Sequence, residues 1–376
     1  MKLPLARIGM VCGSLIVALV LMVSTGCSLA FETGQPSSVN ADSTPDAAYV
    51  DPTNAGDASH DLSLEARKTL NSLEMVDDYP LYTMRFYGSY ETENVSFGVI
   101  PQLSTGKLPE SYASLWACSL FSALGNPETM ILGRNFDWEY SPALLLFTDP
   151  PDGFASVSMV DIAYVGFEDD EIHRLIELPL DERAGLLLTP LLPFDGMNAC
   201  GLGVGMAAVP PGNMAADPKK RSIGSLRVIR EILDHACDIE DAVEIIQRYN
   251  IDTAGGPPLH YLLADRSGEA VLVEFYQAEM VLIPNQESWH LATNFLKSAY
   301  GESVEGVCDR YDKIADRLKS TDGQFNVADA MDLLQDVSQI PTQWSIVYGL
   351  SDGELQVVMG RKFDQPLPFH LNDIRE

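Results

Sequence analysis

From residue 79 onward the chain carries short runs rich in β-branched and aromatic side chains. Residues 79–90 (YPLYTMRFYGSY), 116–124, 129–134, 143–148 and 154–167 predict strands on that ground. The period then lengthens. Ser222 is placed to cap a helix over IGSLRVIREILDHA, in which Ile223, Leu226, Ile229 and Leu233 share a face, and Asp238 to cap a second over IEDAVEIIQRY. LHYLLA and EAVLVEF flank the turn-forming residues 265–268 and predict a hairpin. Amphipathic stretches at 304–319 and 327–337 precede a last strand pair, WSIVYGL and ELQVVMG. Many strands with helices gathered in two blocks predict an α+β protein of stacked sheets covered by helices, not alternating βαβ units.

The first part of the chain follows other rules. Lys2 and Arg7 precede an uncharged stretch over residues 8–26 that ends at Cys27, the pattern of an export signal. The residues S-T-G-C at 24–27 resemble a bacterial lipoprotein box, in which the cysteine is lipidated and becomes the mature N-terminus; Ser24 departs from the aliphatic residue usual there. The other reading is an uncleaved anchor helix, since about 19 residues at ~1.5 Å each nearly cross a ~30 Å hydrocarbon layer. Either way the protein is expected to be exported and tethered to a membrane, at the cell surface or on its periplasmic face. Residues 28–75 are expected to be a disordered linker, because Ser, Pro, Asp, Asn, Gly and Ala dominate most of that stretch and offer little to offset the entropy of ordering.

The 376 residues, 46% of them hydrophobic, can fill a sizeable core. Against 24 lysines and arginines stand 54 aspartates and glutamates, a formal net charge of −30. Such a surface repels nucleic acid and anionic headgroups, so polyanion binding is excluded. The same acidity suits a surface hydrated in high salt as well as plain solubility.

Chemistry enters at residues 117–140, ACSLFSALGNPETMILGRNFDWEY. Apolar strand residues surround Cys118, and an arginine and an aspartate follow at 134 and 137, which are costly to bring near apolar surface unless they face each other or a site. Beyond Cys12 and Cys27 there are Cys118, Cys200, Cys237 and Cys308, which allow three disulfide connectivities. No CxxC or Cys/His cluster is present, which argues against zinc. The histidines are scattered at 60, 173, 235, 260, 290 and 370, and the context of a papain-type cysteine is absent.

Cutting the Ala117–Cys118 bond gives Cys118 its own base. The freed α-amine, of pKa about 8, lies within reach of its thiol, of pKa about 8.5. Asp137 would then orient the ammonium form and Arg134 would offset the carboxylate, which alone would suppress the thiolate. The alternatives are a structural Arg134–Asp137 ion pair and a Cys118 that merely packs.

The block from Cys118 through GRNFDW resembles the choloylglycine hydrolase family of linear amide C–N hydrolases, which includes penicillin V acylases and is similar to acid ceramidase-like amidases and acyltransferase-type C45 peptidases. Further blocks recur in order: DGMNACGLGVG, HYLLADRSGEAVLVEF, ATNF, DRY and WSIVY. The resemblance implies an N-terminal nucleophile hydrolase with a four-layer αββα sandwich of two antiparallel sheets covered by helices. It implies residues 118–376 as the catalytic domain and 76–117 as a segment separated by self-cleavage yet retained, an arrangement similar to the acid ceramidase-like members.

By the same resemblance Asn294 is an oxyanion donor and Arg310 supports the charge network. Read without it, Asn294 is a turn cap and Arg310 a solvated helix residue. Several bile-salt members carry a second oxyanion asparagine ten residues after the position of Asn198; here that position is Ala208, where a backbone N–H would have to serve. The reaction implied is hydrolysis of a small N-acyl amide through a thioester, with acyl transfer differing only in the second nucleophile. No cofactor or metal is expected. Two rivals remain: a papain-like peptidase using His260 or His290, and a non-catalytic surface lipoprotein with a disulfide-stapled core.

Overall fold

The computed structural model describes residues 62–89, 117–167, 169–212, 216–253, 256–301 and 303–375. The expected signal segment, Cys27 and most of the expected linker lie outside them, as does much of the 76–117 segment. Among the described residues no helix is long and apolar enough to cross a membrane.

The elements run α1 (Leu64–Asn71), β1 (Glu74–Asp77), β2 (Leu81–Phe86), β3 (Ser119–Ala123), β4 (Ile131–Asp137), β5 (Ala143–Thr148) and β6 (Ser156–Asp161). After several short 3₁₀ turns come β7 (Asp195–Asn198), β8 (Leu202–Ala208), β9 (Arg221–Gly224), α2 (Arg227–His235), α3 (Ile239–Gln247) and β10 (Tyr249–Asp252). The last third holds β11 (Leu259–Asp265), β12 (Ala270–Tyr276), β13 (Glu279–Pro284), β14 (Trp289–Ala292), α4 (Asp309–Thr321), α5 (Val327–Val337), β15 (Thr342–Gly349), β16 (Glu354–Met359) and β17 (Leu367–His370).

Two sheets are stacked. One has nine strands in the order β1-β2-β5-β6-β7-β8-β11-β12-β13, the other six in the order β14-β3-β4-β15-β16-β17. Helices α2 and α3 cover the first through β7, β8 and β11; α4 and α5 cover the second through β3, β4, β14 and β15. This is the expected αββα layering. Side chains of β4 show how the sequence specifies it: Leu132 and Phe136 enter the central core while Ile131 enters the core under α4 and α5. Burial on both faces is why these strands read as near-continuous apolar runs. The sheets meet closely at β8, where a Cβ on Gly205 would stand 2.4 Å from Leu120 Cδ2. A side chain there would have to push aside the Leu120 side chain, on the strand that follows Cys118.

Four expectations need correction. Helix α1 and the first half of strand β1 fall inside the stretch read as linker to residue 75; Ser63 caps α1 by accepting from the Ala66 N–H, and Leu70 and Leu73 are buried against the first sheet's edge. Leu64, at 77% exposure, blurs the apolar face that would have announced the helix. Ser222 caps nothing: it lies in β9, paired in parallel with β10, and α2 starts at Arg227 without a side-chain cap. Helix α4 begins at Asp309 and not near 304, after a loop in which Gly306 takes a positive φ. Finally, the nine-stranded sheet is not wholly antiparallel. Strand β2 pairs in parallel with β5, from Leu81 opposite Ala143 to Phe86 opposite Thr148. No tight turn joins these two strands, so nothing forces the antiparallel sense of a hairpin.

Candidate active site

Sheet register assembles the site. Strand β14 pairs with β3, Ala292 opposite Leu120, so continuing that ladder brings Asn294 level with Cys118. Strand β4 pairs with β3, Leu120 opposite Arg134, which brings Asp137 level with Ala117. Residues far apart in sequence thereby meet at the end of one strand.

Arg310 reaches the same point from the helix layer. It shares the buried stripe of α4 with Ile314 and Leu318, an arginine in an apolar position. Its Nη1 donates to the carbonyl of Ala117, to the carbonyl of Cys118 at 2.5 Å and to Ser119 Oγ at 2.9 Å. Its Nη2 donates to Asn294 Oδ1 at 3.1 Å. Asn294 Nδ2 in turn donates to the carbonyl of Ala208 at 2.9 Å, so position 208 does adjoin Asn294. The side chain of Arg310 is therefore buried and satisfied, not solvated.

Asp137 is fully buried. One carboxylate oxygen accepts from Thr342 Oγ1, while Oδ2 has no hydrogen-bond partner. Burial pushes its pKa up to about 7, against the pull of Arg310, Thr342 and Arg134. Cys118 is buried too, with Sγ 3.9 Å from the carbonyl oxygen of Asp137. Burial raises its thiol pKa; Arg134 and Arg310 draw it down and Asp137 adds to the rise.

Arg134 approaches from between the sheets, on the face of β4 opposite Asp137. Its carboxylate partner is Asp195, at the start of β7, and Nη1 also donates to the carbonyl of Phe194 at 2.8 Å. Asp195 additionally accepts from the Tyr348 hydroxyl. The direct Arg134–Asp137 ion pair considered from sequence does not form. Asp195, Tyr348 and Thr342 escaped the sequence reading, although two of them stand inside or at the edge of the recurring blocks DGMNACGLGVG and WSIVY.

The remaining candidates serve other ends. His290 is held near pKa 4 by burial, its Nε2 facing the carbonyl of Ile283 and its Nδ1 accepting from the Leu291 N–H. His260 Nδ1 faces Glu274 at 3.4 Å. Neither histidine has Cys118 as its partner. Asn198 donates to the carbonyls of Leu233 and Ala236 and accepts from the N–H groups of Cys200 and Leu202, closing the end of α2 onto the β7–β8 turn. A Cys200–Cys237 disulfide secures the same junction.

Residues 118–294 match the family model for linear amide C–N hydrolases, choloylglycine hydrolase family. Among solved structures the chain is similar to a mutant conjugated bile acid hydrolase from Clostridium perfringens, with 15% identity, 68% of this chain and 93% of that one covered, and a TM-score of 0.51. It is also similar to a penicillin V acylase from Agrobacterium tumefaciens (17% identity, 64% and 83% covered, TM-score 0.48). A third is the Caenorhabditis elegans orthologue of N-acylethanolamine-hydrolyzing acid amidase (15% identity, 62% and 93% covered, TM-score 0.43). At this identity the likeness to the bile acid hydrolase bears on the fold alone, that of the N-terminal nucleophile hydrolases.

Proposed function

We propose that the chain is a self-cleaving cysteine amidase whose nucleophile and base both belong to Cys118, on the premise that residues 118–294 match the family model for linear amide C–N hydrolases of the choloylglycine hydrolase family. One observation carries the reading: the Arg310 guanidinium spans the two carbonyls that flank the Ala117–Cys118 bond, beside a buried Asp137 with an empty acceptor. The family match also begins on Cys118 itself.

Self-cleavage starts when Cys118 Sγ, giving up its proton, adds to the Ala117 carbonyl carbon. The negative charge gathers on the Ala117 oxygen, where Arg310 already donates. The C–N bond then breaks, the nitrogen takes up the proton that the thiol gave and leaves as the α-amine of Cys118, and water hydrolyses the Ala117–Sγ thioester to the Ala117 carboxylate and the free thiol, the proton released turning the amine into its ammonium form. The new ammonium forms one residue from the position opposite Asp137, whose unpartnered Oδ2 would hold the amine, and the positive charge would lower the carboxyl pKa.

In the mature enzyme the thiolate attacks the carbonyl of a small N-acyl amide. Asn294 Nδ2 carries two N–H groups, of which Ala208 takes one, leaving the other for the oxyanion. The ammonium of Cys118 protonates the leaving nitrogen, and the resulting amine then activates water to release the acid from the thioester. An acceptor amine in place of water would give acyl transfer. Strands β1 and β2 are integral to the nine-stranded sheet, which supports retention of the N-terminal piece after the cut. Export through residues 1–27 and attachment at Cys27 complete the proposal, with the acidic domain held off the membrane by residues 28–61.

Intact-mass and N-terminal analysis of wild type beside Cys118→Ala tests it. Expected are two chains for wild type, one beginning at Cys118, and a single uncut chain without amidase activity for the variant. Active wild-type protein that remains one chain across this junction refutes the proposal.

A further inference from the structure

Resting on the reading of Cys118 above, we infer that Tyr79, which lies on the N-terminal side of the cut, is a positioning residue for the amidase site. A bulge interrupts the pairing of β15 with β4. Strand β15 pairs with β4 with Thr342 opposite Asp137 and Trp344 opposite Phe136, so Gln343 is an extra residue between them. Bulges of this kind re-aim a neighbouring side chain. Here the neighbour is Thr342, whose hydroxyl donates to Asp137, the group that would receive the ammonium of Cys118.

The Gln343 amide fixes the bulge and is itself saturated. Its Nε2 donates to the carbonyls of Trp138 and Pro341, both at 2.9 Å. Its Oε1 accepts from the Ser141 N–H at 3.2 Å and from the Tyr79 hydroxyl at 2.8 Å. Trp138 and Pro341 directly adjoin Asp137 and Thr342, and an amide has no further capacity. Among the described residues Tyr79 is the single contributor from before the cut.

Its seat is built for it. The ring lies so close to Gly360 that a Cβ there would stand 2.6 Å from Tyr79 Cδ2, and the Gly360 N–H donates to the Gln343 carbonyl at 2.9 Å. Tyr140 packs edge-on at 5.3 Å between ring centroids. The preceding turn is anchored by Lys362, which donates to Asp77 at 3.0 Å and to Asp78. The retained piece thus touches both sheets and ends its reach one residue from the site. After cleavage Tyr79 belongs to a separate chain, so the site is completed across a chain junction.

The test uses the mature two-chain protein and a readout that needs no substrate: the rate at which iodoacetamide alkylates Cys118, followed by mass spectrometry. Tyr79→Phe keeps the ring and removes one hydrogen bond, so alkylation should slow about threefold to tenfold while both chains still co-elute on gel filtration. Gln343→Ala should slow it comparably, and the double variant should be no slower than the worse single one, because both act through one contact. Wild-type alkylation in Tyr79→Phe, full additivity with Gln343→Ala, or loss of the N-terminal chain from the Tyr79→Phe complex each overturns the inference. N-terminal analysis of wild type separates the failures: an uncut chain removes the premise, whereas a cut chain with an indifferent Tyr79 removes this inference alone.

Discussion

Arg310 and Asn294 touch each other, yet the proposed function gives them different reactions. In the uncut chain the scissile carbonyl of Ala117 accepts from Arg310, while the Asn294 amide donates to Ala208. Arg310→Gln removes the charge that faces the developing oxyanion. A charge-assisted donor to such an oxygen stabilises the transition state by about 3 kcal/mol, so self-cleavage should slow by about 10²-fold. Asn294→Ala removes no donor from Ala117, and its precursor should mature within about fivefold of the wild-type rate, the residual loss coming from a less constrained Arg310. The mature Asn294→Ala enzyme should nevertheless lose about 10²- to 10³-fold in amide hydrolysis, the usual effect of deleting an oxyanion donor. The assay follows precursor and products by denaturing gel during cell-free synthesis. Arg310→Lys, which keeps the charge but cannot span both carbonyls, controls for misfolding and should fall between wild type and Arg310→Gln. Normal maturation of Arg310→Gln together with an Asn294→Ala precursor that stays uncut would reverse the assignment.

Two further outcomes are expected. Asp137 is pushed up from 3.8 to about 7 in the uncut chain, so the folded state holds its proton where the unfolded state has lost it. That contribution to stability is present at low pH and declines as pH rises from about 4 to about 7. Urea midpoints of uncut Cys118→Ala should show this decline, adding Asp137→Asn should flatten it, and identical slopes in the two proteins would refute the assignment. The Cys200–Cys237 bond joins residues 37 apart, and on chain entropy its loss should cost up to about 4 kcal/mol. Denaturant titration of Cys200→Ser/Cys237→Ser should therefore give a lowered midpoint with self-cleavage retained, since Cys118 takes no part in that bond.

The parts of the fold that local chemistry dictates were legible in the sequence. Strand β5 has its expected limits, the hairpin of β11 and β12 turns where expected, and Asp238 caps α3 by accepting from the Asp241 N–H. Features set by distant partners were not. Ser222 has the chemistry of a helix cap, but β10 recruits it into a strand. Asp195 looks like any acid before a glycine until two sheets stack and Arg134 arrives opposite it. Gln343 gives no local sign of standing in a bulge, because the bulge exists only in the register of β15 against β4. Arg310 lies between these cases: its spacing from Ile314 and Leu318 puts a cation on an apolar helical stripe, which calls for a buried acceptor, but only the fold supplies the carbonyls of Ala117 and Cys118.

The parallel seam between β2 and β5 has a thermodynamic consequence once the Ala117–Cys118 bond is gone. In the precursor, closing that seam is a first-order event within one molecule. In the two-chain enzyme proposed above the same strand would have to return from solution, so recovery from denaturation would become second order and slow with dilution. The proposed self-cleavage would thereby leave a protein that can be assembled well only once, its working lifetime governed by how slowly it opens and not by how readily it reforms.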